Sequence, residues 1–381
     1  MMCPVCGGAE LRPVLDIAQV PVFCNQLCDT PQEALAVARG DMSIRHCAGC
    51  HHLFNAAFDS KLVEYSPKYE NTLHCSGQFQ RYAGALTGEL AERYDLAKRC
   101  VVEVGCGNGQ FLRDLCAASG AHGIGFDPSY QGPTGAVSDN VVIHRQRLAR
   151  ALVPGEPALI CCRHCLEHVD EPVPFLRSLG SEVAPHTRVF FEVPNALYTV
   201  RDGGIWDILY EHCGYFTAGS LRVAFQRAGF EADDVAVVFA GQFLTLHGHV
   251  SSALSTGPTL NDQVSEGAVV AEFADLYARK TQTYRERLAR EREAGRRVAI
   301  WGGGTKGVMF LNTVGTGDEV VVDINPKKQG KFVAGTGQPI VAPKALSELR
   351  PDLVVVMNPV YRDEIASTLG ELGLTPELLE A

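Results

Sequence analysis

Glycine turns followed by an acid, histidines beside glutamates and paired cysteines are the chemistry-bearing features of this 381-residue chain. The clearest turn is Glu103-Val104-Gly105-Cys106-Gly107-Asn108-Gly109, with Asp127 downstream. Glycines after a strand let a ligand approach the backbone closely, and an acid one βαβ step later can accept hydrogen bonds from ribose hydroxyls. The dinucleotide spacing, G-x-G-x-x-G, occurs later as Gly302-Gly303-Gly304-Thr305-Lys306-Gly307, with Asp323 downstream. There the helix N-terminus and Lys306 could serve the diphosphate of a dinucleotide or of a sugar nucleotide. His212 stands beside Glu211 among the aromatics Tyr210, Tyr215 and Phe216. Imidazole titrates near neutrality, so His212 reads as a general base. Cys3 and Cys6, with Cys47 and Cys50, form two C-x2-C knuckles. Four thiolates suit a tetrahedral zinc ion with no open position, hence a structural metal, and His51 and His52 are spare ligands.

These residues need elements to position them. An apolar strand at 101–104 leads into the first turn, a helix at 110–118 leaves it, and a strand at 122–126 ends in Asp127. A further strand at 158–162 runs into Arg163-His164-Cys165-Leu166-Glu167-His168. Ligands gather at the carboxyl ends of strands in an open α/β sheet, which puts His164 near a cofactor and His168 near a substrate or at the start of the next helix. A helix at 78–97 precedes the unit, and a strand at 188–193, a helix at 220–228 and an antiparallel pair at 235–239 and 243–249 complete it. A Ser/Gly/Pro-rich linker at 251–262 and a charged helix at 264–292 lead to the second turn. The expected division is 1–72 for a zinc-binding domain, 73–253 for a central α/β domain, and 254–381 for the linker helix and a C-terminal Rossmann-like domain.

Composition narrows the partners. Hydrophobic content of 46% with 20% charged residues is that of a globular chain. A formal charge of −10 argues against nucleic acid, which wants a basic surface. No apolar run approaches the roughly 18–20 residues of a membrane span. The N-terminus passes straight into a cysteine motif, so a cytoplasmic protein is expected, with its 14 cysteines as metal ligands and buried thiols.

The pattern E-x-G-C-G-x-G with Asp127 resembles the first motif of class I S-adenosylmethionine (SAM) methyltransferases. The resemblance implies that the turn packs against the methionine part of SAM and that Asp127 holds its ribose. Glu103, Gly105, Cys106, Gly107, Gly109, Asp127 and His164 are then the expected cofactor site. Taken with the CPVC and CAGC knuckles, YEHCGYF and the tail WGGGTKGVMFLN, the chain resembles the three-part sugar C-methyltransferases of deoxysugar biosynthesis. That family implies a zinc-binding N-terminal domain, a SAM domain and a C-terminal Rossmann-like domain. Its substrates are nucleoside diphosphate 4-keto-6-deoxysugars, usually dTDP sugars. Glu211-His212 would carry the base, with His212 oriented by Glu211. Tyr69, or else Tyr65, would line the site, and a tyrosine or His168 would hydrogen-bond the enolate. Tyr210, Gly302, Gly304 and Lys306 are the expected substrate contacts. Many members have His where this chain has Tyr210. The alternatives are an O- or N-methyltransferase, and an NAD-dependent reductase using Gly302 to Gly307. A zinc-dependent nucleic-acid-binding module is disfavoured by charge.

Overall fold

The structure, a computed structural model, describes residues 1–64, 68–251, 269–315 and 317–381. Tyr65, nearly all of the 251–262 linker and the first turn of the expected charged helix lie outside the described residues.

The central sheet has eight strands: β4 (Cys100–Val104), β5 (His122–Phe126), β6 (Gly135–Ser138), β7 (Val141–His144), β8 (Leu159–Arg163), β9 (Arg188–Pro194), β11 (Phe230–Val238) and β12 (Phe243–Val250). Their order is β11-β12-β9-β8-β4-β5-β7-β6. The strands from β7 to β9 run parallel, and β6, β11 and β12 pair antiparallel. Near-continuous apolar runs such as Leu159-Ile160-Cys161-Cys162 suit strands buried on both faces. The chain leaves β4 toward β5 on one side and later returns through β8 on the other. The crevice above β4 and β8 is therefore the topological switch point where ligands bind.

A second parallel sheet lies at the C-terminus, built from β13 (Val298–Trp301), β14 (Val320–Val322), β15 (Ile340–Val341), β16 (Leu353–Val356) and β17 (Glu377–Glu380). Its order is β15-β14-β13-β16-β17, with the reversal between β13 and β16. The N-terminal sheet has β1 (Leu11–Pro21), β2 (Arg39–Cys47) and β3 (Leu53–Asn55), with β10 (Gly214–Tyr215) arriving from the YEHCGYF segment. Gly214 pairs with Phe54 and Tyr215 with Leu53. The small sheet thus takes its fourth strand from the segment that carries Glu211 and His212.

The charged helix runs over Phe273–Glu293 and buries Phe273, Tyr277, Thr281, Tyr284, Leu288 and Glu291 along one face. Spacings of three and four residues give a single apolar stripe despite the many arginines. This stripe joins one continuous core with Val20 and Ile44 of the N-terminal sheet, Trp206 and Tyr210, and Ile300 and Phe310 of the C-terminal module. Among the described residues no helix is long and apolar enough to cross a membrane.

Candidate active site

The first turn has Gly105, Gly107 and Gly109 at φ values of +71°, +54° and +74°, left-handed backbone that side chains resist. A Cβ on Gly105 would stand 2.8 Å from Cys165 Sγ, and one on Gly109 2.3 Å from Ile143 Cδ1. A Cβ on Gly107 would meet nothing within 4 Å, so the turn is packed below and open above. The Gly107 amide donates to Asp127 Oδ2 at 2.8 Å, while Ser129 N and Oγ donate to Oδ1 at 2.7 and 2.6 Å. An open cradle faced by a fixed acid fits SAM.

Two of the expected cofactor residues are held in packing around the turn. Glu103 is 2% exposed and lies beneath the turn, where burial pushes its carboxyl up to about 8. Cys106 is buried too; its sulfur lies 2.7 Å from where a Cβ on Gly125 would be. His164, also expected at the cofactor, belongs to a charge cluster that the sheet register creates. Arg163 of β8 pairs with Glu192 of β9, and Arg163 Nη2 donates to Glu192 Oε1 at 2.6 Å. Tyr82 donates its hydroxyl to Glu192, and His164 Nε2 lies 2.8 Å from Glu192 Oε1. Burial opposes a charge on His164, but Glu167 and Glu192 overcome it and raise its pKa to about 9. Sequence reasoning missed Tyr82, Arg163 and Glu192, which show no spacing signal before the strand register is known.

Past β8, the short turn Leu166–His168 presents Glu167 and His168 to the Tyr210–Cys213 segment. The rings of His168 and His212 meet edge to face with centroids 4.9 Å apart. His168 Nδ1 donates to the Glu211 carbonyl at 2.9 Å, which makes Nε2 the lone-pair nitrogen of the neutral ring. Glu167 is 2% exposed; burial opposes its charge, yet His164, His168 and His212 hold its pKa below the usual carboxylate value. Burial, reinforced by His168, pushes His212 down to about 3, so its imidazole is neutral at physiological pH.

The carboxylate of Glu211 does not orient His212 as expected. It accepts from the Cys24 amide at 2.8 Å and from the Tyr69 hydroxyl at 2.5 Å, so its partner is Tyr69. Tyr69 is brought there by a bridge to Gln26 of the N-terminal module. The carboxylate beside the histidine pair is Glu167, which the H-x-x-E-H spacing of His164 to His168 could have revealed. Tyr210 is not a substrate contact either. It is 1% exposed, its hydroxyl accepts from the Asp59 amide at 2.9 Å, and its ring fills the space beside Gly40.

The second turn repeats the first in geometry. The Gly303 amide donates to Asp323 Oδ2 at 2.9 Å, and Asn325 N donates to Oδ1 at 2.8 Å. Its mouth, however, is filled by the chain itself. Buried Lys328 donates to Asn25 Oδ1 at 2.9 Å and to the Gly303 carbonyl at 3.2 Å, beside Gly304. Lys306, expected on a diphosphate, is paired with Asp207 and lies over the Tyr198 ring at 5.3 Å. Gly302 keeps its positive φ of +125°, and a Cβ on Gly307 would lie 1.9 Å from the Gly302 carbonyl oxygen. These glycines serve close helix–strand packing.

The antiparallel β1–β2 pair, with Leu11 opposite Cys47, folds the long gap between the knuckles and brings them together. The sulfurs of Cys3, Cys6, Cys47 and Cys50 all lie within 4.8 Å of one another, with Cys3–Cys50 at 3.6 Å and Cys6–Cys47 at 3.4 Å. The Gly8 amide donates to Cys6 Sγ at 3.3 Å. Four such sulfurs fit a tetrahedral metal. His51 pairs with His46 at 3.0 Å and His52 packs against Phe216, so neither joins that set.

The central sheet, its switch-point turn and Asp127 define the class, a SAM-dependent methyltransferase. A family model described as "Methyltransferase domain" matches residues 76–235, and one described as "C-methyltransferase C-terminal domain" matches residues 260–373. C-methyltransferase NovU of Streptomyces niveus is 25% identical over 95% of this chain and 90% of its own length. A ubiquinone biosynthesis O-methyltransferase of Pseudomonas paraeruginosa is 31% identical, over 28% of this chain and 49% of its own. Magnesium protoporphyrin IX methyltransferase from Synechocystis, solved with bound SAH, is 16% identical, covers 46% of this chain and 84% of its own, and superposes with a TM-score of 0.35. The chain is a SAM-dependent methyltransferase in which one segment matches a methyltransferase domain and a later one matches a C-methyltransferase C-terminal domain.

Proposed function

We propose that this enzyme methylates a carbon next to the ketone of a nucleoside diphosphate keto-deoxysugar, a dTDP sugar in the first instance, by way of an enolate. The observation that carries this reading is the meeting of His168, His212 and the Glu211–Tyr69 pair beyond β8, next to the glycine turn. The match to a C-methyltransferase along nearly the whole chain supports it.

Bound at Gly105, Gly107, Gly109 and Asp127, SAM supplies an electrophilic methyl group. The chain's own task is to make a carbon nucleophilic, which requires removing the proton α to a carbonyl. His212 is neutral and takes that proton, and the nearby Glu167 carboxylate stabilises the imidazolium that forms. Tyr69, whose one hydroxyl proton Glu211 accepts at rest, turns it to the enolate oxygen as charge develops there, whereas His168 has its Nδ1–H committed to the Glu211 carbonyl. The diphosphate role expected for Gly302, Gly304 and Lys306 does not enter, because Lys306 is paired with Asp207 and Lys328 fills the turn. Zinc at Cys3, Cys6, Cys47 and Cys50 is structural in this reading and takes no part in the reaction.

The test is mass spectrometry of the product after incubation with SAM and nucleotide-linked keto-sugars deuterated α to the ketone. A product heavier by one methylene that has lost one deuteron is expected. A methylated product that keeps every deuteron would mean transfer to oxygen or nitrogen, the reading that the O-methyltransferase relatives favour.

A further inference from the structure

We propose that Glu167, His168 and His212 form a binding site for a divalent transition cation, separate from the four-cysteine cluster. One carboxylate oxygen and one ring nitrogen from each histidine all lie within 4.8 Å of one another. Ligands held about 2.1 Å from such an ion stand roughly 3.0–3.5 Å apart, so side-chain rotations of about an ångström close the site.

Three features of this cluster point to a ligand. Glu167 is almost completely buried, and its Oε2 has no hydrogen-bond partner among the described residues. His212 Nδ1 is likewise buried without one. His164, 3.7 Å from Oε1, offsets part of the Glu167 charge, but Oε2 itself is unbonded, and a buried oxygen of that kind is costly unless a cation or donor satisfies it. His168 is arranged as metal-binding histidines are, its Nδ1–H donated to a backbone carbonyl so that Nε2 carries the lone pair. Nε2 faces Glu167 Oε1 at 4.0 Å. A carboxylate with two imidazole nitrogens is a borderline-soft donor set that favours Zn²⁺ or Co²⁺ and disfavours Mg²⁺, which keeps oxygen ligands. Three protein ligands also leave a coordination position open toward the crevice.

This inference rests on the reading of His212 as the base for its functional consequence. An ion on His212 takes the lone pair needed for proton abstraction, so the loaded enzyme is inactive and the cation regulates transfer. The experiment is titration of the zinc-loaded full chain with Co²⁺, read by visible absorption and by metal analysis after gel filtration. One further Co²⁺ per chain is expected, with a d–d spectrum that lacks thiolate charge-transfer bands. Glu167→Gln and His168→Asn should each lose that extra equivalent while keeping the cysteine-bound zinc, whose retention shows that the variant has folded. A tenfold excess of Mg²⁺ should not displace it. Uptake by wild type that is unchanged in both variants, or no uptake beyond the cysteine cluster, overturns the site and leaves His212 as base untouched. If Co²⁺ binds and methyl transfer falls in proportion, both stand. If Co²⁺ binds and transfer rises, the site stands and the base assignment of His212 falls.

Discussion

Glu211 and His212 are adjacent in the chain, yet their side chains serve different partners. Glu211 reaches Tyr69 and Cys24, whereas His212 faces His168 and Glu167. Two variants separate these roles. His212→Ala should abolish methyl transfer while SAM still binds, measured by calorimetry beside a turnover assay; retained turnover would remove His212 from the mechanism. Tyr69→Phe should lower kcat by about 10²-fold, the scale of one general-acid contact, with SAM affinity unchanged. The buried cluster makes a further prediction, in pH. Glu192 has its pKa depressed to about 2, despite burial, by Arg163 and His164, so its stabilisation is present above its ordinary value of 4.5 and is lost as pH falls toward 2. His164 is raised from 6.5 to about 9, so its stabilisation is complete below 6.5 and is lost as pH rises to 9. His164→Gln should therefore flatten the alkaline side of a plot of melting temperature against pH and make the acid side shallower without abolishing it, because Arg163 still holds Glu192 down. An unchanged alkaline slope would show that another group causes it.

Two strand–turn–helix units have the same backbone device and different fates. In each, a glycine amide is bonded to the acid that follows the second strand, at 2.8 Å for Gly107–Asp127 and 2.9 Å for Gly303–Asp323. The first is open above Gly107, and the second is plugged by Lys328 and Asn25. The element-scale prediction follows from Gly307. A methyl group there would stand 1.9 Å from a backbone oxygen that cannot yield without moving β13 or the helix Thr305–Val314. Gly307→Ala should cost at least the upper end of the about 1–3 kcal/mol usual for overpacking and leave SAM affinity intact. The readouts are a denaturant melt and SAM calorimetry; an unshifted melt would show that the two elements separate freely.

At the scale of the molecule, the modules share interior rather than merely touching. Trp206 packs edge-on to Tyr284 at 5.9 Å and to Phe310 at 4.9 Å, within a core that also holds Val20 and Ile44. Ion pairs cross the same boundary: Lys327 to Glu70 at 2.6 Å, and Lys331 to Asp29. Trp206→Ala should cost about 3–5 kcal/mol and loosen the N-terminal and C-terminal modules together. Limited proteolysis should then show both becoming sensitive at once, whereas loss of one alone would mean that the cores are independent. Removal of a metal held by the four cysteines would act through the same connectivity. The cysteine cluster anchors β2 and β3, and β3 pairs with β10, two residues beyond His212. Chelation should therefore abolish turnover while leaving the SAM turn able to bind, as read by calorimetry.

Local chemistry made part of this legible from sequence. Strand His122–Phe126 is found at its expected bounds, and the glycine turn with Asp127 has the expected geometry, because strand, turn and acid lie within one βαβ unit. The knuckle spacing likewise foretold four converging sulfurs. Contacts between distant residues were not legible. Tyr210 looked like a wall of the site and is a buried staple to Asp59; Lys306 looked like a phosphate ligand and pairs with Asp207. Glu167 has His164 and His168 within its own turn and gained His212 only when that turn met the segment leading into β10. Residue types and their spacing determine what a side chain can do, and this chain's sequence alone pointed to a glycine turn facing an acid, with histidines at the end of a neighbouring strand. Which carboxylate serves which histidine depends on burial and on partners brought in from far along the chain, and only the tertiary structure decided that.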